Sequence, residues 1–227
     1  MRALWAGTPS GTIPEFSKTA ERAMEKIDLK KSLRELFNPP KGKFVETIVP
    51  ELSFVKVDGA GDPNTTEAFQ TAVQWLYGVS YAMKFAAKAQ LGRDYVVPPL
   101  EGLWWSDDPG TFVRREKDRW QWTLMIMVPD FVNREMFDKA VEKTGAKRDD
   151  KPPTLRFEPY DEGRVLQALH VGSYDDEGPL LKHLHGEVMP ALGVDFNGPH
   201  HEIYLGDPRK TEAAKLKTIL RQPLRKL

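Results

Sequence analysis

Apolar residues along this chain follow two spacings, one typical of strands and one typical of helices. Short apolar runs predict strands at 44–49, 52–57 and 121–128. Between them, over 66–90, apolar residues recur every three or four positions, which predicts a long amphipathic helix. Asn133 is a capping residue for a further helix that ends at Gly145. The first half of the chain therefore alternates strands and helices.

The same order of elements returns after the breaker Pro152-Pro153. Strands are predicted at 155–157 and 164–171, on either side of a turn at 161–163. A helix with Pro179 in its first turn follows, and the last strand is predicted within 215–224. Two halves with the same succession indicate an internal duplication.

One strand in each half carries a glutamate in the middle of an apolar and aromatic run. Glu101 follows Pro98 by three residues, and Glu202 follows Pro199 in the same way; each run stops near an Asp-Pro pair. We therefore expect the two glutamates to occupy equivalent strands related by a pseudo-two-fold axis. Alternation puts two sets of side chains each on one face: Glu101, Leu103 and Trp105 in the first strand, and His200, Glu202 and Tyr204 in the second.

Composition narrows the classes of function. The 227 residues are 40% hydrophobic, which is enough for a core, and Lys plus Arg equal Asp plus Glu at 33 each. That balance argues against nucleic acid and anionic membranes as partners. With no membrane span, no signal pattern and no cysteine, we expect a cytoplasmic protein without disulfides, thiolate nucleophiles or cysteine-based zinc sites.

Domain boundaries follow from the prolines. Residues 1–43 are polar and interrupted by four prolines, so we interpret them as an N-terminal arm with a helical stretch at 16–36. Residues 44–227 are expected to form one domain made of two repeats, about 44–150 and 151–227.

Three segments resemble the GyrI-like family of small-molecule-binding domains. They are His170-Val171-Gly172-Ser173-Tyr174, the run from His201-Glu202-Ile203-Tyr204 to Thr211, and Lys217-Thr218-Ile219-Leu220-Arg221, within a resemblance that spans about 44–224. It implies an α+β fold of duplicated β-α-β-β units (tandem SHS2-like) with a groove at the pseudo-two-fold axis. The segments resemble the stand-alone branch, which lacks a DNA-binding domain and includes hydrolases of cyclopropanoid DNA-alkylating compounds.

The resemblance also implies that a glutamate of this strand faces the groove. Glu101 and Glu202 are the candidate catalytic residues; the alternative for each is a carboxylate on a solvent-exposed face. The candidate ligand contacts, which offer flat rings to an aromatic, amphipathic or cationic compound, are Trp104, Trp105, Tyr174, Tyr204 and His170. Whether Trp104 or Trp105 faces the groove stays open, as does the oligomeric state.

No metal or other cofactor is expected. His200 and His201 are neighbours on a strand and point to opposite faces, so they would not bind one ion together. Two functions stay open: a hydrolase in which one glutamate is the general base that activates water, and a binding protein that sequesters drug-like molecules without turnover.

Overall fold

The computed structural model describes residues 26–108 and 110–227. Within them, two short strands pair with each other and nine strands form one large sheet. The strands are β1 (Lys26–Ile27), β2 (Val45–Val49), β3 (Leu52–Ala60), β4 (Asp94–Tyr95), β5 (Leu100–Trp105), β6 (Gln121–Val128), β7 (Arg156–Tyr160), β8 (Gly163–Val171), β9 (Val194–Phe196), β10 (His200–Tyr204) and β11 (Lys217–Lys226). The helices are α1 (Leu29–Ser32), α2 (Arg34–Phe37), α3 (Glu67–Leu91), α4 (Gly110–Arg114), α5 (Arg134–Gly145), α6 (Gly178–His183) and α7 (Met189–Ala191).

The order of strands in the large sheet reflects the duplication. It runs β2-β8-β11-β10-β5-β6-β3-β7, with β9 beside the end of β11. Counted inwards from the two ends of the sheet, corresponding strands of the two halves pair off as β2 with β7, β8 with β3, β11 with β6 and β10 with β5. The two halves are joined between β10 and β5. The mixed α and β architecture and the two-repeat arrangement predicted from the sequence are confirmed.

The first two strands of each half have matching lengths. β2 and β7 each have five residues, and β3 and β8 each have nine. However, β2 pairs with β8 and β7 pairs with β3, so each half gives its first strand to the other half. The two repeats are therefore interlocked through backbone hydrogen bonds.

The predicted helices lie where the apolar spacing indicated. α3 buries Leu76, Val79 and Met83 against β3 and β6, and Asn133 caps α5 by accepting a hydrogen bond from the Met136 amide. α3 and α5 cover the first half of one face of the sheet, and α6 and α7 cover the second half of that face. No helix of the described residues is both long and apolar enough to cross a membrane.

Part of the expected N-terminal arm belongs to the folded domain. α1 and α2 lie across the opposite face of the sheet, where Leu36 and Phe37 are buried among Val165, Ile203 and Ile219. The sheet needs this cover because its second face is apolar as well. Residues 1–25, with the first part of the predicted helical stretch (16–25), lie outside the described residues.

Candidate ligand-binding and catalytic site

The antiparallel register between β5 and β10 places Glu101 and Glu202 on opposite faces of the sheet. Glu202 is directly opposite Gly102, whereas Glu101 is opposite Ile203. Directly opposed residues project to the same face, so the two glutamates differ by one register step. Their strands are equivalent in the sheet, but the expectation that both carboxylates face one groove is wrong.

We call the side covered by α3 and α6 the groove face. It carries Glu202, Tyr204 and Trp104, and the Trp104 indole Nε1 donates a hydrogen bond of 2.9 Å to the Tyr204 hydroxyl. Gly102 lies under this pair: a Cβ atom there would be 2.9 Å from the indole nitrogen and 3.1 Å from the hydroxyl oxygen. The absent side chain lets the Trp104 indole and the Tyr204 hydroxyl lie directly against the backbone of β5.

The segment after β8 closes one side of the groove face. Tyr174 meets the Tyr204 ring edge to face at 5.6 Å, and it is 38% exposed. Gly172, with φ +153°, permits the sharp turn that brings Tyr174 back over the sheet. His170 supports this turn from below, since its Nε2 lies 2.9 Å from the Ser173 carbonyl oxygen. Three predicted ligand contacts, Trp104, Tyr204 and Tyr174, therefore lie together, and His170 lies behind them.

Trp105 lies apart from this group. It is on the opposite face, where it packs against the apolar cluster under α1 and α2. The question left open by the sequence is thus answered by the register: Trp104 is on the groove face, stacked on Phe69 with ring centroids 6.2 Å apart.

Glu202 is a carboxyl group held largely out of water. Its side chain is 15% exposed, and burial raises its pKa to about 7, although the Tyr204 hydroxyl and the charge of His201 act in the opposite direction. His200, on the same face, has a ring nitrogen 3.7 Å from Glu202, but burial lowers the pKa of His200 to about 3. Because the imidazole is neutral, it does not balance the glutamate charge.

Glu177 is a second carboxyl group near the groove, and the sequence reasoning missed it. It immediately precedes α6, is 4% exposed, and has a buried Oε1 atom without a hydrogen-bond partner among the described residues. Burial, followed by the charge of Glu202, raises the pKa of Glu177 to about 10. No local pattern marks this residue, because its partner Glu202 is brought to it only by the fold.

Glu101 belongs to a buried polar network on the opposite face. His201 lies between two carboxylates: Nε2 is 3.0 Å from Glu101 and Nδ1 is 2.8 Å from Glu162. Arg221 donates to the other oxygen of Glu162 at 2.9 Å and to the Leu36 carbonyl oxygen at 3.0 Å. Burial lowers the pKa of His201, but the charge of Glu162 and both hydrogen bonds outweigh it, so the net pKa is raised. This network attaches α2 to the sheet.

The adjacent histidines point to opposite faces, as predicted. His201 is engaged by Glu101 and Glu162, while His200 lies on the groove face. Among the residues that the structure describes, no group of three or more potential ligands is arranged to hold a metal ion.

Comparison with known proteins identifies similar chains. Residues 47–225 match the GyrI-like small molecule binding domain. An uncharacterized conserved protein from Listeria innocua is 39% identical, with a TM-score of 0.80, and the match covers 88% of this chain and 100% of that one. A hydrolase from Listeria innocua is 38% identical, with a TM-score of 0.79 and the same coverage. The C-terminal domain of EcmrR shares the fold at 13% identity, with a TM-score of 0.52 over 82% of this chain and 98% of that one. No curated protein matches the chain significantly.

Proposed function

This chain belongs to the GyrI-like small-molecule-binding family, and we propose that it is a hydrolase that opens the strained ring of cyclopropanoid compounds. The observation that carries the proposal is the position of Glu202. Its carboxyl group is buried beside Trp104 and Tyr204, has a pKa of about 7, and forms no ion pair with a lysine or arginine of the described residues. A carboxylate in that setting is suited to general-base catalysis near neutral pH.

The aromatic side chains of the groove face support the other requirement of the proposal, contacts for a flat ligand. The rings of Trp104, Tyr204 and Tyr174 offer aromatic contacts that are each worth about 0.5–1.5 kcal/mol beyond the area they bury. An aromatic or amphipathic compound held there would have its electrophilic carbon next to Glu202. Positioning of this kind lowers the barrier of a reaction between the bound compound and water.

In the proposed reaction, Glu202 takes a proton from water while the water oxygen attacks the ring methylene carbon. The new C–O bond forms as the strained C–C bond breaks, and the electron pair moves through the conjugated ring to the carbonyl oxygen. General-base assistance typically contributes ~10² to 10⁴-fold, which is sufficient for an electrophile already activated by strain.

The related chains support a catalytic role. Two structures from Listeria innocua that are 38% identical and cover 88% of this chain are described as hydrolases. We assign the base to Glu202 and not to Glu101, because Glu101 lies on the opposite face against His201.

The test compares two substitutions that make the same chemical change on neighbouring strands. Glu202→Gln keeps the size of the side chain but removes its basicity, so turnover of a cyclopropanoid alkylator should fall by ~10² or more with little change in affinity for a neutral ligand. Glu101→Gln should keep turnover within a few-fold per folded molecule. Formation of the water-opened product is followed by mass spectrometry, and unchanged multiple turnovers in Glu202→Gln would refute the assignment.

The alternative is a binding protein that sequesters planar cations. It is favoured by one observation, the buried Glu202 carboxylate for which the described residues offer no ion-pairing lysine or arginine. In that case Glu202→Gln should weaken binding of aromatic cations, leave neutral aromatic ligands nearly unaffected, and no hydrolysis product should form with the unmodified protein.

A further inference from the structure

His201 is buried between two carboxylates on the face of the sheet opposite to the groove face. Its Nε2 lies 3.0 Å from Glu101 and its Nδ1 lies 2.8 Å from Glu162, and all three side chains are 1% exposed. An ionised carboxylate only accepts hydrogen bonds, and a neutral imidazole has a single N–H to donate. Both contacts are satisfied together when both ring nitrogens carry a proton. His201 is therefore an imidazolium in the folded protein.

The charges around His201 require its proton. Arg221 donates a hydrogen bond of 2.9 Å to Glu162, and its other nitrogens are engaged by Gln167 on β8. With His201 charged, the two carboxylates and the two cations sum to zero, whereas a neutral His201 would leave one uncompensated negative charge in a buried site. Burial alone would lower the pKa of His201, but the charge of Glu162 and the two hydrogen bonds raise it overall.

Attachment of α2 does not by itself explain a charged histidine at this position. The contact with α2 is made by Arg221, which donates to the Leu36 carbonyl oxygen at 3.0 Å. His201 contacts the two carboxylates instead, and it immediately precedes Glu202 on β10. Neighbours on a strand project to opposite faces, so the imidazolium and the Glu202 carboxyl group are separated by the backbone of one strand.

The Glu202 carboxyl group has few other sources of positive charge. In the described part of the chain, the titratable groups that face it from the surrounding elements are uncharged near neutral pH: His200, Tyr204, Tyr174 and Glu177. Burial raises the pKa of Glu202 to about 7, and the Tyr204 hydroxyl and the charge of His201 lower it. His201 thus supplies the positive charge that opposes the effect of burial.

We propose that His201 is a positioning residue for the base: its imidazolium, held on the opposite face, stabilises the ionised form of Glu202 through the sheet. The inference rests on the proposed function of Glu202. A charge acts through the weakly polar interior of a protein without direct contact. Glu101 and Glu162 then hold the charge of His201 in place, and His201 keeps its proton throughout the reaction.

The first experiment determines the charge of His201 in the unmodified protein. Nitrogen NMR of protein labelled with ¹⁵N-histidine should show both ring nitrogens of His201 protonated at about pH 8, where a free histidine with a pKa of about 6.5 is mostly neutral. The measurement needs neither a substitution nor a substrate. A neutral His201 at about pH 7 overturns the proposal.

The second experiment follows the titration of Glu202 by carbon NMR of its side-chain carboxyl group. His201→Gln removes the positive charge, so the midpoint should rise by on the order of one pH unit. Glu101→Gln removes a negative charge from the same network, so the midpoint should fall. Loss of packing would not produce opposite shifts from two members of one hydrogen-bonded pair.

The control makes the same change at an exposed histidine. His183 lies on α6 with a side chain that is 49% exposed, and His183→Gln should leave the midpoint of Glu202 unchanged. An unchanged midpoint in His201→Gln overturns the proposal. If His201→Gln does not fold, Glu101→Gln decides alone, and a midpoint that stays or rises in that variant overturns the proposal.

The third experiment connects this effect to turnover of a cyclopropanoid alkylator. The acidic limb of kcat/KM should move to higher pH in His201→Gln and to lower pH in Glu101→Gln, in step with the two midpoints. Limbs that stay in place while the wild-type enzyme turns over overturn the role of His201 and leave the hydrolase standing. A wild-type protein without turnover overturns the proposed function, while opposite shifts of the midpoint would still show that the charge of His201 acts on Glu202.

Discussion

Glu101 and Glu202 show how much a single register step decides at the scale of one residue. Both follow a proline by three positions and both lie in aromatic strands, so the sequence alone makes them look equivalent. Two prolines, Pro98 and Pro99, precede the first strand. If the two strands are aligned on one proline or on the other, the predicted face for Glu101 changes. Only the pairing of Glu202 with Gly102 resolves the choice.

The pH dependence of the proposed reaction follows from the environment of Glu202. Burial raises the pKa of Glu202 to about 7, and a general base acts only when deprotonated. The rate should therefore rise with pH through about 7 and not through the usual carboxyl range. Measurement of kcat/KM from about pH 5 to 9 checks this. An acidic limb near 4.5 would contradict the assignment of a buried base.

Gly102 is the residue whose missing side chain lets Trp104 and Tyr204 pack closely on the groove face. In Gly102→Ala, the new methyl group would meet the Trp104 indole and the Tyr204 hydroxyl at 2.9 and 3.1 Å. Overpacking of this size costs about 1–3 kcal/mol, so affinity for an aromatic ligand should fall roughly tenfold or more. Titration of tryptophan fluorescence measures the change. Gly186→Ala, where a Cβ meets nothing within 4 Å, is the control and should bind normally.

At the scale of elements, the sequence predicts the long helices and strands best. The 25 residues of α3 and the eight of β6 have clear spacing, and their predicted limits agree with the structure to within one residue. α1 and α2 fall within or at the end of the helical stretch predicted at 16–36, but with four residues each and charged side chains they show no periodicity that would fix their bounds. Their place on the sheet depends on distant partners such as Arg221, which a local pattern does not show.

The attachment of α2 to the sheet gives a prediction about stability. Arg221 is buried between Glu162 and the Leu36 carbonyl oxygen, so Arg221→Met leaves a buried carboxylate with one partner fewer and should cost about 3–5 kcal/mol of the free energy of unfolding. Arg225 lies on the same strand in an exposed pair with Asp195, and Arg225→Met should cost less than about 1 kcal/mol. Urea unfolding of both variants makes the comparison. Equal losses would mean that the buried network does not hold α2.

At the scale of the whole molecule, the duplication was visible because the order of elements repeats. The sequence did not show how the halves join, since a strand carries no local mark of which partner it will pair with. β2 precedes β3 along the chain but pairs with β8, and β7 pairs with β3. The proposed site lies where the halves meet, at β5 and β10, so it depends on that long-range assembly.

The exchanged strands predict that neither half folds alone. A fragment of residues 1–150 would lack the partner of β2 and leave an edge of β3 without β7, and a fragment of residues 151–227 would expose the edge of β8. We expect each fragment to be largely unfolded by circular dichroism. A mixture of the two should regain the spectrum of the intact chain, because every missing pairing is then available. Calorimetry of the intact chain should show one cooperative transition. Two separate transitions, or a folded isolated fragment, would mean that the repeats are independent domains and that the exchanged strands contribute little to stability.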